Sequence, residues 1–186
     1  AMRLRKGSTV YHVRLVHLEN GVPIQLEDRH VNPALAPDFM ERDFTEVTPS
    51  HVLFEHAPLP ISLTGLDGVL HANAAFLETL GYSLQELTDA TWRDVCHPDD
   101  MALTQHVIDQ LVSGQRDRFR FVKRFLHKSG ETVWADVSTS LRRDAAGAPL
   151  YVVAYWADIT ETRRLTEELD RHRNRLEEEV QARTLQ

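Results

Sequence analysis

Three runs of alternating apolar and polar residues in the second half of the chain constrain the fold most. They cover residues 119–126, 132–141 and 150–157, and the short turns Ser129-Gly130 and Ala146-Gly147 separate them. Alternation with a period of two is typical of strands that bury one face. Because tight turns join neighbouring strands, these strands are expected to lie side by side and antiparallel.

Two more strands and several short helices are predicted ahead of these three strands. The runs 61–64 and 69–72 flank Asp67-Gly68, a pair that favours a hairpin turn. A short helix is predicted over residues 73–80. A longer one begins at Pro98, since proline suits the first turn of a helix. The order of elements predicts an α+β fold.

A separate hairpin is predicted near the start of the chain. Asn20-Gly21 lies between the alternating runs 9–18 and 22–31 and favours a two-residue type I′ turn. In that register Arg14 lies directly opposite Glu27, which is a favourable cross-strand pair. Thr48-Pro49 then predicts the N-cap and first residue of a short helix.

The last 26 or so residues predict one long charged helix that begins after Asp158, which can act as its N-cap. Its apolar stripe consists of Leu165, Leu169, Leu176 and Val180, and His172 interrupts it. A stripe this narrow is typical of a helix that pairs with one partner helix, and a second copy of the chain is the simplest partner. The alternative is a single amphipathic helix that folds back on its own domain.

The composition excludes several classes of protein. The formal net charge is -7, which disfavours direct binding to nucleic acid or to anionic membranes. No apolar run reaches the roughly 20 residues that span a bilayer, and the single cysteine, Cys96, fits a reducing compartment. We therefore expect a cytoplasmic protein without membrane contacts. No nucleophile elbow, Walker loop or kinase phospho-acceptor motif is present, so the sequence does not indicate an enzyme.

Residues 53–164 resemble the PAS family of sensory domains. The motifs that carry the resemblance are Asp67-Gly68, Asn73-Ala74-Ala75-Phe76, Gly81-Tyr82, His97-Pro98-Asp99-Asp100, the stretch 123–130, Trp134 and Asp158-Ile159-Thr160. The resemblance implies a five-stranded antiparallel sheet with helices over one face. It also implies that Asp158, Ile159 and Thr160 pass a signal into the following helix and on to an output domain, such as a histidine kinase, that these 186 residues do not include.

The PAS resemblance further implies a pocket for a small molecule between the sheet and its helices. The residues expected to line it are Phe121, Phe125, Ala135, Val137, Ala154 and Trp156. The alternative is that these side chains form an ordinary core. Lys123 shares their face by alternation, so its amine either reaches solvent along an extended side chain or pairs with an anionic ligand.

The first 50 or so residues resemble instead the C-terminal half of a UTRA effector domain, as found in histidine-utilisation repressors of the GntR class. The resemblance rests on the stretch 11–17, Asn20-Gly21, Pro23-Ile24, the stretch 26–29, Val31-Asn32-Pro33 and Val47-Thr48-Pro49. It implies that His17 and Glu27 contact the effector. The two-residue turn register places these two residues on opposite faces, so the two inferences conflict.

The combined prediction has three parts: a partial UTRA-like hairpin segment over residues 1–52, a PAS domain over 53–160 and a signalling helix over 161–186. The expected function is a PAS module that senses a ligand or mediates dimerisation. The alternative is the effector-binding fragment of a transcriptional repressor.

No tightly bound cofactor or metal is expected. His106 lies on the helix from which haem-binding PAS domains supply an axial ligand, but it only borders the apolar stripe of that helix. Flavin photochemistry of the LOV type needs a cysteine within an Asn-Cys-Arg motif, whereas Cys96 follows Val95 and precedes His97. Cys96 is therefore expected to be a small buried apolar residue, and the sequence 97–100 is expected to be a helix start and not a metal site.

Overall fold

A computed structural model describes residues 7–19, 21–34, 36–45 and 48–184, and it describes their side chains except those of residues 19 and 178–184. The chain divides into two compact units. The first consists of residues 1–58 with 73–75, and the second of residues 59–72 with 76–186. Each unit is described by itself.

The first unit contains a two-stranded antiparallel hairpin, a short 3₁₀ helix at Phe39–Glu41 and helix α1 (Pro49–Glu55). The hairpin consists of β1 (Tyr11–Glu19) and β2 (Val22–Val31). One face of it packs against Phe39 and Val52 to form a small apolar core. The Thr48 hydroxyl accepts a hydrogen bond from the His51 backbone N–H at 3.2 Å, which confirms the predicted N-cap.

The predicted register of this hairpin is wrong beyond its tip. Glu19 pairs with Val22, as a two-residue turn requires, but the register shifts by one residue between His17 and Leu18. Arg14 therefore lies opposite Asp28 and not opposite Glu27. The shift occurs beside Pro23, and a proline cannot donate to the strand ladder, so prolines within sheets are found at edges and bulges.

The second unit is built on a five-stranded antiparallel sheet in the order β4-β3-β7-β6-β5, which confirms the predicted α+β architecture. Its strands are β3 (Ile61–Gly65), β4 (Leu70–Ala72), β5 (Arg118–Leu126), β6 (Thr132–Arg143) and β7 (Pro149–Asp158). Its helices are most of α2 (Ala74–Leu80), a 3₁₀ turn at Pro98–Asp100, α3 (Met101–Val112) and α4 (Thr160–Thr184).

Three aromatic rings form the centre of the core of the second unit. Phe76 of α2 is fully buried, and its ring meets those of Phe125 and Trp156 edge-on, at centroid distances of 5.8 and 5.6 Å. Phe125 and Trp156 stack on each other at 4.8 Å. Since edge-on and offset contacts suit the ring quadrupoles, this cluster joins α2 firmly to the sheet.

The start of α3 is anchored to the edge strand β5 by an ion pair. The Asp100 carboxylate accepts the backbone N–H of Arg124 at 2.6 Å and pairs with its guanidinium at 2.7 Å. The Arg124 guanidinium holds the pKa of the Asp100 carboxyl below its usual value. The sequence His97-Pro98-Asp99-Asp100 thus begins a helix, as expected, and the second acidic residue fixes this helix to the sheet.

The resemblance to PAS domains also predicts a surface ion pair between Glu86 and Lys128, and the structure confirms it just beyond the end of β5. The Glu86 carboxylate contacts the Lys128 amine at 2.5 Å, and both side chains are exposed. The sequence Ser83-Leu84-Gln85-Glu86 has the pattern of a capping box, and Glu86 accepts the backbone N–H of Ser83 as that motif requires. The Lys128 amine, followed by the Ser83 donors, lowers the pKa of Glu86 to about 2.

Candidate functional site

A cavity of about 50 Å³ lies between the sheet of the second unit and helix α3. Its walls are mostly apolar, with four hydroxyl side chains and one lysine among them. The residues that line it are Ser62, Thr64, Leu70, Phe76, Trp92, Val95, Thr104, Val107, Ile108, Phe121, Lys123, Phe125, Val137, Thr139, Val152 and Ala154. Small-molecule sites are usually apolar pockets with a few convergent polar groups, and this cavity has such a lining at a much smaller size.

The structure brings four of the six predicted pocket residues to this cavity. Phe121, Phe125, Val137 and Ala154 line it. Ala135 and Trp156 are buried in the adjoining core but do not reach the cavity wall. Alternation along β6 and β7 correctly places these two side chains on the buried face, whereas the position of the void on that face depends on how the helices cover it.

Lys123 is the unexpected member of the cavity wall. Its side chain is only 4% exposed, so the interpretation that its amine reaches solvent is wrong. The amine lies over the rings of Phe125, at 4.5 Å from the centroid, and Trp92, at 5.9 Å. Burial lowers the pKa of the Lys123 amine, and the weaker influence of Cys96 and Asp100 opposes this.

Four buried hydroxyl side chains share the cavity with Lys123, and the sequence analysis missed them. Ser62 and Thr64 come from β3, Thr104 from α3 and Thr139 from β6. The Thr139 hydroxyl already donates to the Val153 carbonyl at 2.9 Å. The sequence carries a signal for one of them, since Thr139 continues the alternation of Ala135 and Val137 and so falls on the buried face of β6.

Cys96 is the small buried residue that the sequence predicts. Cys96 is fully buried, and its Sγ lies 3.6 Å from the Thr104 Oγ1. The His106 side chain is exposed on α3 and is not part of the cavity wall.

The junction between the sheet and α4 is short and tightly held. Strand β7 ends at Asp158 and α4 begins at Thr160, so Ile159 alone separates them. The Asp158 carboxylate accepts the Thr160 N–H at 2.8 Å. From β6, the Trp134 carbonyl accepts the Ile159 N–H at 2.8 Å, and the Trp134 N–H donates to the Thr160 hydroxyl at 2.9 Å.

One more contact fixes the first turn of α4, and the sequence analysis did not anticipate it. The Arg163 guanidinium stacks on the Trp134 ring at 4.0 Å from its centroid. Two of the three predicted signal-coupling residues, Ile159 and Thr160, bond directly to Trp134 of the neighbouring strand. The third, Asp158, is joined to Trp134 through Thr160.

Beyond this first turn, the apolar stripe of α4 is uncovered in the single chain. Leu165, Leu169 and Leu176 are 51%, 70% and 60% exposed. Val180, the last residue of the predicted stripe, lies outside the residues whose side chains are described. Ion pairs within the helix, such as Arg164 with Glu161 and Glu168, support it at spacings of three and four residues.

The two residues expected to contact an effector meet on the hairpin of the first unit. The His17 Nε2 lies 2.9 Å from the Glu27 Oε2, and Arg29 contacts the other oxygen of that carboxylate. The register shift at Pro23 brings Glu27 to the face of His17, which resolves the conflict in favour of the pairing that the resemblance implies. Their contact with an effector stays a prediction.

Among the helices in the described ranges, none has both the length and the apolar character that crossing a membrane requires.

Comparison with known families and proteins confirms both resemblances. Residues 69–155 match the family model of the PAS fold, and residues 1–63 match that of the UTRA domain. The crystal structure of the PAS domain of a Colwellia psychrerythraea protein superimposes with a TM-score of 0.56 at 21% identity, covering 64% of this chain and 99% of that one. This likeness shows the PAS fold of the second unit.

Curated relatives match each part separately. "Probable diguanylate cyclase DgcE" of Escherichia coli K12 is 33% identical over 111 residues, which is 59% of this chain and 10% of that protein. The "Histidine utilization repressor" of Pseudomonas putida is 52% identical over 59 residues, which is 32% of this chain and 24% of that protein. The chain thus spans a tenth and about a quarter of the length of these two relatives.

Proposed function

Since residues 69–155 have the PAS fold, we propose that this chain is a sensory module. In this proposal a small molecule binds in the cavity, or the module mediates dimerisation, and α4 relays the state of the sheet to an output domain such as a histidine kinase. Relatives of the PAS segment include a protein named "Sensor histidine kinase TmoS", 26% identical over 129 residues, of which the chain covers 13%. That name supports a role in signalling.

The single observation that carries the proposal is the one-residue link between β7 and α4. Val152 and Ala154 of β7 line the cavity, as do Val137 and Thr139 of β6. Both strands are bonded to the link, through the chain itself and through Trp134. A ligand that shifts these strands therefore has to move the start of α4, because so short a connection leaves no slack.

The relay is tested at Thr160, whose hydroxyl accepts the Trp134 N–H. The substitution Thr160→Val keeps the shape of the side chain and removes this acceptor, so the first turn of α4 should separate more easily from β6. We expect amide hydrogen exchange in residues 160–166, and at the Trp134 amide that loses its acceptor, to accelerate about tenfold, while the exchange in β5 and the rest of β6 stays unchanged. Exchange measured by mass spectrometry checks this.

Thr162→Val is the matched control, since Thr162 is exposed on the same helical turn and has the same side chain. Equal exchange in the two variants, or acceleration that spreads through the whole sheet, would contradict a specific junction between β6 and α4.

Dimerisation through α4 belongs to the same proposal. The three exposed leucines of the stripe leave an apolar surface that is wide enough for one partner helix. A second copy of the chain offers the same stripe and gives a closed two-fold pair.

A second candidate function is favoured by the contact between His17 and Glu27. In this alternative, the first unit is the effector-binding part of a transcriptional repressor of the histidine-utilisation type. We expect L-histidine, chosen from the name of the relative, to shift the NMR signals of His17 and Glu27, and His17→Ala to remove the shift of Glu27. His51→Ala, at an exposed histidine of α1, is the control. Unchanged signals at millimolar L-histidine would reject this compound as the effector.

A further inference from the structure

The cavity of the second unit contains a cation without an acidic partner. Lys123 lies on the edge strand β5 and points its amine inward, between the rings of Phe125 and Trp92. In the described part of the chain, no carboxylate forms an ion pair with it. Asp100 is the carboxylate that influences the pKa of the Lys123 amine, and it already pairs with Arg124.

Burying an ammonium group is costly unless an opposite charge or several acceptors accompany it. Two ring faces and the Cys96 thiol compensate only in part, because cation–π contacts and thiol acceptors are weak compared with a carboxylate. A buried, uncompensated lysine is therefore a feature that stability alone does not favour. An apolar side chain at this position of β5 would complete the face that Phe121 and Phe125 begin.

We infer that the ligand of this cavity carries a carboxylate that pairs with the Lys123 amine. The inference rests on the proposed sensory function and names the chemical class of its ligand. The carboxylate supplies the charge that the site lacks, and a hydrogen bond between two charged groups is stronger than one between neutral groups. The hydroxyls of Ser62 and Thr64, on β3, are the polar groups available to the other end of the molecule.

The size of the cavity limits the ligand to a short acid. Roughly 10–15 Å³ of the space open to a water-sized sphere is enough to hold one water molecule, so a cavity of about 50 Å³ in the same measure suits a ligand of only a few heavy atoms. Propionate is a suitable probe, and propionamide is its neutral counterpart of nearly the same shape. The comparison of these two compounds isolates the charge of the ligand from its size.

The test is calorimetric titration of the full chain with propionate and with propionamide. We expect propionate to bind at least about tenfold more tightly, since hydrogen bonds to charged groups are the stronger ones. Lys123→Met keeps the length of the side chain and removes the amine, so it should abolish the preference. Lys128→Met removes an exposed amine that lies beyond the end of β5 and outside the cavity wall, and it should leave the preference intact.

Lys123→Met is expected to fold, because it replaces a buried charge by an apolar side chain of similar volume. Independently of any variant, propionate should shift the NMR signal of the Lys123 Nζ in the wild-type chain. Equal binding of the two probes would overturn the carboxylate inference and leave the sensory cavity standing. Binding of neither at millimolar concentration would also overturn it, and the relay would still be decided by the exchange experiment at Thr160.

Discussion

Replacing Leu169 and Leu176 by serine is expected to weaken the proposed dimer at least about 100-fold while the PAS-fold unit stays folded. Both leucines lie on the exposed stripe of α4 and are 70% and 60% exposed in the single chain. Each leucine that becomes buried in a dimer contributes roughly 1.5–3 kcal/mol, and each dimer contains two copies of both residues. Serine removes nearly all of this apolar area.

Sedimentation velocity over a range of protein concentrations measures the effect. Arg171→Ser combined with Asn174→Ser is the matched control, since both residues are exposed on α4 away from the stripe and the same number of serines is introduced. This control separates the loss of helix propensity from the loss of apolar contact. Two results would contradict the proposal that α4 pairs with a second copy. One is a wild-type chain that is monomeric at tens of micromolar, and the other is a double variant that dimerises as well as wild type.

The sheet could be predicted from the sequence because alternation and turn residues are local signals. The runs 119–126, 132–141 and 150–157 form β5, β6 and β7 within a few residues of the predicted bounds. Asp67-Gly68 turns between β3 and β4, and Gly68 adopts the positive φ of 89° that the turn needs. Period-two patterning determines which side chains are buried, and this is why most of the core was predictable.

The hairpin register was not predictable from the turn pair alone. Asn20-Gly21 determines the loop length, but one extra residue in the second strand beside Pro23 moves every later side chain to the other face. The resemblance to UTRA domains, which placed His17 and Glu27 at one site, carried information on pairing that local turn chemistry lacks. The register shift brings these two residues into contact.

Lys123 shows a second limit of sequence reasoning. Alternation assigned it correctly to the buried face of β5, but whether a lysine at such a position reaches solvent depends on what covers the strand end. Trp92, from the segment before α3, lies within 5.9 Å of the amine and covers that route. Four of the six predicted pocket residues line the void. Its position depends on the same covering segments, whose order along the chain can be read from the sequence but whose placement over the sheet cannot.

Truncating Phe76 to alanine is expected to cost the PAS-fold unit about 3–5 kcal/mol of unfolding free energy, as large-to-small changes of buried aromatic residues do. The ring is fully buried and makes the two edge-on contacts with Phe125 and Trp156 that join α2 to the sheet. Since a domain of this size has a total stability of about 5–15 kcal/mol, the loss is a large fraction of the whole. Phe76 also lines the cavity, so its removal enlarges the void.

Urea unfolding followed by tryptophan fluorescence measures this loss in the correct unit, because all three tryptophans, Trp92, Trp134 and Trp156, lie in the second unit. Leu84→Ala, at a side chain that is 67% exposed, should change the midpoint little. If Phe76→Ala does not fold, Phe76→Leu keeps most of the volume and should give a smaller, measurable loss. A loss below about 1 kcal/mol for the alanine variant would mean that the ring does not occupy the closely packed site between α2 and the sheet, because truncation there must leave either a cavity or a collapsed core.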